Sequence, residues 1–270
     1  MSTPRRRLDA ALVERGLARS RAEAREHIAA GRVTIDGAPA GKPATLVARG
    51  ADLVVAATGP RWASRGGEKL DGGLDRLGVD VAGRHALDVG AAHGGFTDVL
   101  LARGAAAVVA VDVGYGQLDW RLATDPRVTV LDRTNARHLR AEQLPWRPDL
   151  VVADLSFISL TLVLPALAAL ASAAVDVVLL CKPQFEAGRD AVGRDGVVRD
   201  PSEWERAMRR VVDAARGEGL DLLGAVPSPL RGPAGNVEFV LHLARGRSGP
   251  APPAPAELIA AAVEEVDAPR

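Results

Sequence analysis

Cysteine is nearly absent from this sequence, since Cys181 is the only one among 270 residues. No disulfide can form within the chain, which favours a reducing compartment. We interpret Cys181 as a small, buried hydrophobic residue on a strand and not as a nucleophile. The basic start MSTPRRR is not followed by a long apolar run, so no signal peptide is predicted. The protein is therefore expected in the cytoplasm.

Lysine, tyrosine and asparagine are also scarce. The 34 basic residues include only three lysines, and the chain holds one tyrosine and two asparagines. This usage resembles a GC-rich coding background, in which drift seldom produces the rare types. Lys69 and Lys182 are thus candidates for a specific role. The four phenylalanines all stand in polar or glycine-marked motifs, although core packing is the alternative interpretation of each.

Long uncharged stretches are missing except for one. Residues 155–175 contain no charged residue, and these 21 residues are long enough to span a membrane. Several hydroxyl side chains dilute the stretch, and Pro165 interrupts it. A helix packed against a parallel sheet is apolar on all sides in the same way. We therefore expect a buried helix here and no stable membrane association.

The net charge is zero, but the charges are unevenly spread. Residues 1–59 carry ten Lys and Arg against six Asp and Glu, so this region is the expected contact for an anionic partner such as nucleic acid. Apolar spacing predicts two short helices within residues 7–30, and Asp36-Gly37 marks a hairpin among the short strands that follow. We predict a small domain at 1–59, a linker at 60–69, a main domain at 70–245 and a Pro/Ala-rich tail with a short helix at 246–270.

The central motif runs from Arg84 to Tyr115, RHALDVGAAHGGFTDVLLARGAAAVVAVDVGY. It predicts a strand, a glycine turn, a helix and a second strand ending at Asp112, which is the βαβ unit of a nucleotide-binding fold. The turn is not the dinucleotide fingerprint, because Ala92 stands where GxGxxG requires its second glycine. A ligand with one carboxylate, such as S-adenosylmethionine, is favoured over one with a pyrophosphate. A nucleotide-binding or ligand-free unit remains the alternative.

Seven candidate strands predict an α/β fold with the seven-stranded sheet of a class I (Rossmann-like) methyltransferase, joined to a small N-terminal α+β domain. Lys69 stands at the entry to this fold, Asp154 and Lys182 end strands, and Glu238 opens the last strand. The carboxyl ends of parallel strands border the ligand crevice, and an antiparallel last strand begins at the same edge. We therefore predict that these four side chains converge, with solvated ion pairs as the alternative for any one of them.

The N-terminal region resembles an S4 RNA-binding domain, which presents arginines to structured RNA. The order Lys, Asp, Lys, Glu of the four convergent residues resembles the catalytic tetrad of FtsJ-like ribose 2'-O-methyltransferases. With the motifs SRGGEKL, VDVGYGQLDW, DLSFISL and KPQFEAGR, the chain resembles the TlyA (hemolysin A) family of rRNA 2'-O-methyltransferases to about residue 245. The turn departs from this family, which usually carries Ser-Thr where Ala92-His93 stand.

The resemblance implies methyl transfer from S-adenosylmethionine to the ribose 2'-hydroxyl of a cytidine in 16S or 23S rRNA, within ribosomal subunits and without a metal. It implies that Lys182 takes or steers the hydroxyl proton while Lys69, Asp154 and Glu238 complete the catalytic set. It implies cofactor contacts at Asp88, Gly90, Gly94, Gly95, Phe96, Asp112, Asp132 and Asn135. The RNA-contact candidates, each of which could instead lie on a solvated surface, are Arg5, Arg7, Arg19, Arg21, Arg25, Arg65, Arg189 and Arg194.

Two functions of other classes stay open at this point. A non-catalytic RNA-binding assembly factor for the ribosome would keep the arginines of the S4-like domain without needing the tetrad. A haemolysin-like, membrane-active protein would need membrane-competent segments, and residues 155–175 offer one. Pseudouridine synthases also carry S4 domains, but the glycine turn and the tetrad argue against that chemistry.

Overall fold

The computed structural model describes residues 5–56, 61–247 and 252–267. By its internal contacts the chain divides into two compact units, Met1–Arg61 and Trp62–Arg270.

The first unit combines two short helices with small antiparallel sheets. Leu8, Leu12 and Ile28 pack with Val33 in its core, because helical spacing places Leu8 and Leu12 on one face. Strands β2, β3 and β5 form a sheet in the order β3-β2-β5, and β1 pairs with β4. The α+β fold predicted for this region is confirmed. Its elements are β1 (Arg6–Arg7), α1 (Leu8–Glu14), α2 (Arg21–Ala29), β2 (Val33–Ile35), β3 (Ala38–Pro39), β4 (Leu46–Val47) and β5 (Leu53–Val55).

The second unit is built on one seven-stranded sheet with helices on its faces. The strand order is β11-β12-β10-β9-β6-β7-β8. Strand β12 runs antiparallel to both neighbours, while the pairs from β10 to β8 are parallel, as the sequence predicts. The strands are β6 (His85–Val89), β7 (Ala107–Val111), β8 (Val128–Leu131), β9 (Leu150–Ala153), β10 (Val175–Cys181), β11 (Asp221–Pro227) and β12 (Phe239–Arg245). The helices are α3 (Gly66–Leu77), α4 (Gly95–Ala102), α5 (Trp120–Ala123), α6 (Leu164–Leu170), α7 (Pro183–Glu186), α8 (Pro201–Gly217) and α9 (Pro255–Glu264).

The sheet is buried on both faces. Strands β9 and β10 are buried along their whole length, which explains their continuous runs of apolar residues. Helix α8 turns Trp204, Met208 and Val211 toward one face. Helices α3 and α4 cover the other face with Leu70, Leu74 and Leu100, among others. The carboxyl edge of the parallel strands holds the candidate site.

The uncharged stretch 155–175 does not form the single buried helix that its composition predicts. It contains a loop, a 3₁₀ turn at Leu160–Leu162, the seven-residue α6 and the first residue of β10. Ser159 caps the 3₁₀ turn, and Pro165 falls in the first turn of α6, where proline starts a helix and does not continue one. Within the described ranges, no helix is long and apolar enough to cross a membrane.

The segment expected to be a linker is largely part of the second unit. Trp62 is buried, and helix α3 already begins at Gly66. The helix forms despite four glycines, because Leu70 and Leu74 lie on one face and pack in the core of the unit. The expected boundaries 60–69 and 70 are therefore corrected to a junction at residues 61 and 62.

The expected tail also contributes to the second unit. The short helix predicted in the tail is α9, which begins at Pro255 and buries Ile259, Ala262 and Val263 in the main core. Residues 248–251 and 268–270 of the expected tail lie outside the described residues.

A buried carboxylate at the amino end of β10 gives a prediction about stability. Asp176 accepts hydrogen bonds from His242 Nε2 at 2.7 Å, from Arg84 at 3.1 Å and from Arg247 at 3.0 Å. Burial alone would raise the pKa of Asp176, but the hydrogen bonds from His242 and Arg247 outweigh it and lower this pKa to about 2. The charged form is thus stabilised in the folded state, and this stabilisation is lost as the pH falls from about 4 to about 2.

We expect Asp176→Asn to lower the free energy of unfolding by about 2 kcal/mol at pH 7, with the difference from wild type shrinking between pH 4 and pH 2. Urea unfolding across this pH range checks the prediction. Asp221→Asn, at an exposed position on β11, serves as the control. A difference that stays constant down to pH 2 contradicts the assignment.

Candidate active site

The turn after β6 requires glycine at its first position. Gly90 has a φ of +85°, and a Cβ atom there would lie 2.5 Å from the backbone oxygen of Asp154. The amides of Gly90 and Ala91 both donate to the carbonyl of Val111 at the end of β7, at 2.8 and 3.1 Å. The turn is therefore held close to the ends of two neighbouring strands, and Gly90 forms part of a cavity wall.

The next two glycines serve packing around the turn. A Cβ atom at Gly94 would lie 2.4 Å from Leu122 Cδ1, and one at Gly95 would lie 2.2 Å from Ser64 Oγ. These positions let neighbouring segments pack directly on the start of α4. Neither glycine lines the cavity.

The cavity at the carboxyl edge has a volume of about 570 Å³, within the usual range for small-molecule sites. Of the residues expected to hold the cofactor, Gly90, Asp112 and Asn135 line it. Those that do not line it are Asp88, Gly94, Gly95, Phe96 and Asp132. Further lining residues, which the sequence analysis did not select, include Ala92, Gln117, Thr134, Ser156, Phe157 and Ile158.

Asp112 follows β7 directly and is fixed at the cavity edge by two backbone amides. Its Oδ2 accepts from Ala92 N at 2.9 Å, and its Oδ1 accepts from Gly114 N at 2.7 Å. Ala92 adopts a φ of +44°, so this residue reaches the carboxylate in a conformation that usually favours glycine. His93, next in the chain, is exposed and does not line the cavity. The carboxylate of Asp112 is therefore positioned by the turn itself.

Asp88 is buried between β6 and α4. Its side chain is fully buried, and Oδ2 accepts from Thr97 Oγ1 at 2.6 Å, which ties β6 to α4. Burial raises the pKa of Asp88 to about 7, and the charges of Asp154 and Asp112 act in the same direction, while the hydrogen bond from Thr97 opposes them.

Two other residues expected at the cofactor are also placed elsewhere. Phe96 lies in the core beneath the turn, and the Asp132 carboxylate accepts from Gly116 N at 2.9 Å. The βαβ pattern predicts where such residues stand along the chain but not which of them reach the ligand side.

Two lysine–carboxylate pairs lie at the carboxyl edge of the sheet, and Asp154 of one pair lines the cavity. Lys69 Nζ lies 2.6 Å from Glu238 Oε2, and Lys182 Nζ lies 2.5 Å from Asp154 Oδ1. Lys182 also donates to Ser156 Oγ at 2.9 Å. Both lysine side chains are at least nine-tenths buried, and so is Glu238. Charges removed from water to this degree need partners, so within each pair the lysine and the carboxylate hold one another in place.

The sheet register explains how these pairs meet. Cys181 on β10 is paired with Phe239 on β12, so the next residues on each side are Lys182 and Glu238. Strand β9 is the parallel neighbour of β10 and ends just before Asp154. The four tetrad residues therefore come to one edge through strand pairing and through α3, which supplies Lys69.

Glu186 is a buried carboxylate that the sequence analysis did not select. It accepts from Ser159 Oγ at 2.5 Å and from Leu160 N at 2.7 Å, and burial raises its pKa while these hydrogen bonds oppose the shift. Glu186 lies at the end of α7, the short helix that begins directly after Lys182. Its contacts with Ser159 and Leu160 hold the end of the loop that carries Asp154 and Ser156. The polar motifs DLSFISL and KPQFE were the available signal, because acids and hydroxyls seldom lie in segments adjacent to buried strands without a partner.

An aromatic pair lies at the mouth of the cavity. Phe157 is 91% exposed and has a φ of +64°, which is unusual for a bulky residue. Its ring centroid lies 5.3 Å from that of Phe185 in α7. Both residues stand in the polar motifs, DLSFIS and KPQFE, that the sequence analysis noted for its few phenylalanines. The structure brings their two rings into contact.

The predicted RNA-contact arginines are distributed over both units. Arg5, Arg7, Arg19, Arg21 and Arg25 are all exposed in the first unit. In the second unit Arg65 and Arg194 are exposed, and Arg65 donates to the carbonyl of Arg231 at 3.4 Å. The side chain of Arg189 lies outside the described residues. In the part of the chain that the structure describes, no group of three or more His, Cys, Asp or Glu residues could hold a metal ion.

The strand order, the glycine turn after the first strand of the sheet and the acidic residue after the second define a class I methyltransferase fold, here preceded by an S4-type unit. The model of the FtsJ-like methyltransferase family matches residues 62–245, and that of the S4 domain matches residues 6–53. The chain belongs to the TlyA (hemolysin A) family of S4-containing, FtsJ-like methyltransferases.

Several named proteins are similar in sequence to this chain over most of its length. A Mycobacterium tuberculosis protein named 16S/23S rRNA (cytidine-2'-O)-methyltransferase TlyA is 57% identical over 88% of this chain and 90% of its own. Hemolysin A of Brachyspira hyodysenteriae is 34% identical over 87% of this chain and 98% of its own. A Streptococcus thermophilus structure described as "Putative hemolysin" is 37% identical, covers 98% of both chains and has a TM-score of 0.74.

Proposed function

We propose that this protein transfers a methyl group from S-adenosylmethionine to a ribose 2'-hydroxyl of ribosomal RNA. The observation that carries the proposal is the two lysine–carboxylate contacts, Lys69–Glu238 and Lys182–Asp154, at the sheet edge where Asp154 lines a cavity of cofactor size. The Mycobacterium tuberculosis relative is named for cytidine 2'-O-methylation of 16S and 23S rRNA, which supports the same substrate here. With ribosomal RNA as the substrate, the proposed location of the protein is the cytoplasm.

The cavity fits an adenosine-type cofactor by its size and its donor set. The Asp112 carboxylate is placed to accept hydrogen bonds from ribose hydroxyls, and Asn135 adds an amide that can donate or accept. Val113, Ala136 and Ile158 supply an apolar surface for a purine. When bound, S-adenosylmethionine supplies a methyl group on a positively charged sulfur.

Lys182 is the residue proposed to act on the ribose hydroxyl. An ammonium group has three N–H donors. Within the described part of the chain, Asp154 and Ser156 account for two contacts of Nζ, so a third donor direction can serve a substrate oxygen. Asp154 also lines the cavity, so the same carboxylate lies next to the cofactor space and to Lys182. Orienting the hydroxyl at this point provides much of the catalysis of a displacement reaction.

Lys69 and Glu238 are proposed to complete the polar edge against which the ribose is held. Their contact joins α3 to the start of β12. We propose that this pair fixes the side of the site opposite Asp154 and excludes water from it, since Glu238 is almost fully buried. Within this arrangement Lys182 either takes the 2'-hydroxyl proton as a neutral amine or, as an ammonium, orients the hydroxyl oxygen by donating a hydrogen bond to it.

The test uses the purified full chain with S-adenosylmethionine labelled in its methyl group. Unmodified 30S and 50S ribosomal subunits are offered separately, and mass mapping of digested RNA locates the modified nucleotide. We expect label on a ribose 2'-oxygen in at least one subunit. Absence of label from both subunits, under conditions where the cofactor binds, would favour a non-catalytic RNA-binding factor instead.

A further inference from the structure

One acidic residue of the first unit lies at the centre of three arginines. The Asp9 side chain has no exposed surface, although it stands near the start of a short helix in a small unit. Arg7 contacts both of its oxygens at 3.1 Å through Nε and Nη2. Arg21 Nη2 lies 2.9 Å from Oδ2, and Arg25 Nε lies 3.5 Å from the same oxygen. These four residues are called the Asp9 cluster below.

The carboxylate of this cluster is charged throughout the working pH range. The hydrogen bond from Arg7 holds the pKa of Asp9 well below its usual range, burial opposes this effect, and Arg21 adds to it. A buried carboxylate without such partners would be costly, so the arginines and Asp9 fix one another in place. Three positive charges around one negative charge leave a surplus of two positive charges.

The arginines keep a free side toward solvent. Their side chains are 46% (Arg7), 53% (Arg21) and 58% (Arg25) exposed, although each contacts the buried carboxylate. A guanidinium has five N–H donors in a rigid fork, so one side can bind Asp9 while the other binds a phosphate. Arg21 and Arg25 are four residues apart on α2, which places them on one face of that helix.

Arg19 differs from these three arginines. It donates to the Glu23 carboxylate through Nε at 3.2 Å and through Nη2 at 3.1 Å, and its backbone amide contacts the same group. The Arg19–Glu23 pair carries no net charge. The Arg19 side chain is 93% exposed, so this arginine is held only at the surface. Three of the arginines expected to contact RNA thus belong to a cluster built on a buried acid, whereas Arg19 belongs to a neutral pair at the surface.

We propose that Asp9 is a positioning residue that arranges Arg7, Arg21 and Arg25 into one binding site for RNA phosphates. The proposal rests on the proposed function in that structured RNA is the partner. Free arginine side chains lose conformational freedom when they bind a phosphate, whereas arginines already held by Asp9 have lost part of it before binding. An acidic residue therefore strengthens the binding of an anion, which is the opposite of its direct electrostatic effect.

The test compares the full-length wild type with Asp9→Asn for binding to the ribosomal subunit that the wild type modifies. Removing a negative charge beside an anion site would tighten binding if charge alone mattered. We expect the dissociation constant instead to rise about tenfold at a fixed salt concentration, because the three arginines lose their common anchor. Glu23→Gln, which frees Arg19 in the same way, is the matched control and is expected to change binding less than about twofold.

Two charge-conserving variants decide the matter if Asp9→Asn disturbs folding, as judged by circular dichroism. Arg21→Lys keeps the charge of an exposed side chain but cannot contact Asp9 and a phosphate with one planar fork. We expect it to weaken subunit binding severalfold, while Arg127→Lys, at an exposed arginine paired with Asp125 in the second unit, leaves binding unchanged. Folded Asp9→Asn that binds as tightly as wild type, or equal binding by the two lysine variants, overturns the positioning role. Failure of the wild type itself to bind either subunit would instead refute the proposed function.

Discussion

Replacing Lys182 with alanine is expected to lower the rate of methyl transfer by about 10²–10⁴-fold, the usual effect of removing a group that moves a proton in the transition state. Lys182 directly follows β10 and contacts Asp154 and Ser156, so its loss removes the donor proposed to face the substrate. The variant is expected to bind S-adenosylmethionine and ribosomal subunits nearly as wild type does. Single-turnover transfer on saturating subunits measures the chemical step.

Lys182→Arg distinguishes proton transfer from charge alone. A guanidinium remains protonated, and its planar fork does not replace the compact ammonium group between Asp154 and Ser156. We expect this variant to be nearly as slow as Lys182→Ala. Near-native turnover by Lys182→Arg would exclude proton transfer to Lys182 and leave only a steering role for the positive charge. Near-native turnover by Lys182→Ala would remove the residue from the mechanism altogether.

The parts of the fold that the sequence predicts correctly are those with local signals. The apolar runs in the sequence predict strands at His85–Val89 and Val128–Leu131, and β6 and β8 have these same limits because a turn signal follows each run. The prediction of one helix over residues 155–175 is wrong because the absence of charged residues indicates burial but does not specify a helix. The start of α3 at Gly66 is missed for the opposite reason, since its four glycines are poor helix formers and tertiary packing of Leu70 and Leu74 decides the outcome.

The candidate site also combines residues that a local motif predicts with residues whose partners only the folded structure shows. The glycine turn and Asp112 follow from one βαβ pattern, and the structure places Gly90 and Asp112 at the cavity. The family resemblance also implies cofactor contacts at Asp88 and Phe96, whose side chains are buried, because a match of motifs gives no information on which side of a strand or helix a side chain points. Lys69 and Glu238 are 169 residues apart, so only the completed sheet shows that they are partners.

Breaking the Lys69–Glu238 pair is expected to cause a large loss of stability. Glu238→Ala is expected to destabilise the protein by about 3–5 kcal/mol, because it leaves the Lys69 ammonium buried without its partner. The contact is 2.6 Å long, and the two side chains are 8% and 1% exposed, so solvent offers little compensation. Urea unfolding followed by circular dichroism measures this loss. A decrease below about 1 kcal/mol, the range of exposed ion pairs, contradicts the buried pair seen in the structure.

The double substitution Lys69→Met with Glu238→Leu separates stability from activity. Replacing a buried ion pair by apolar residues of similar size is often neutral or stabilising, so we expect most of the stability lost in Glu238→Ala to return. Methyl transfer is expected to stay low, because the polar edge proposed to hold the ribose is absent while Lys182 and Asp154 are intact. Recovery of activity together with stability would show that the pair only supports the fold. Recovery of stability alone would place it in the site, since the fold would then be intact and only the charges missing.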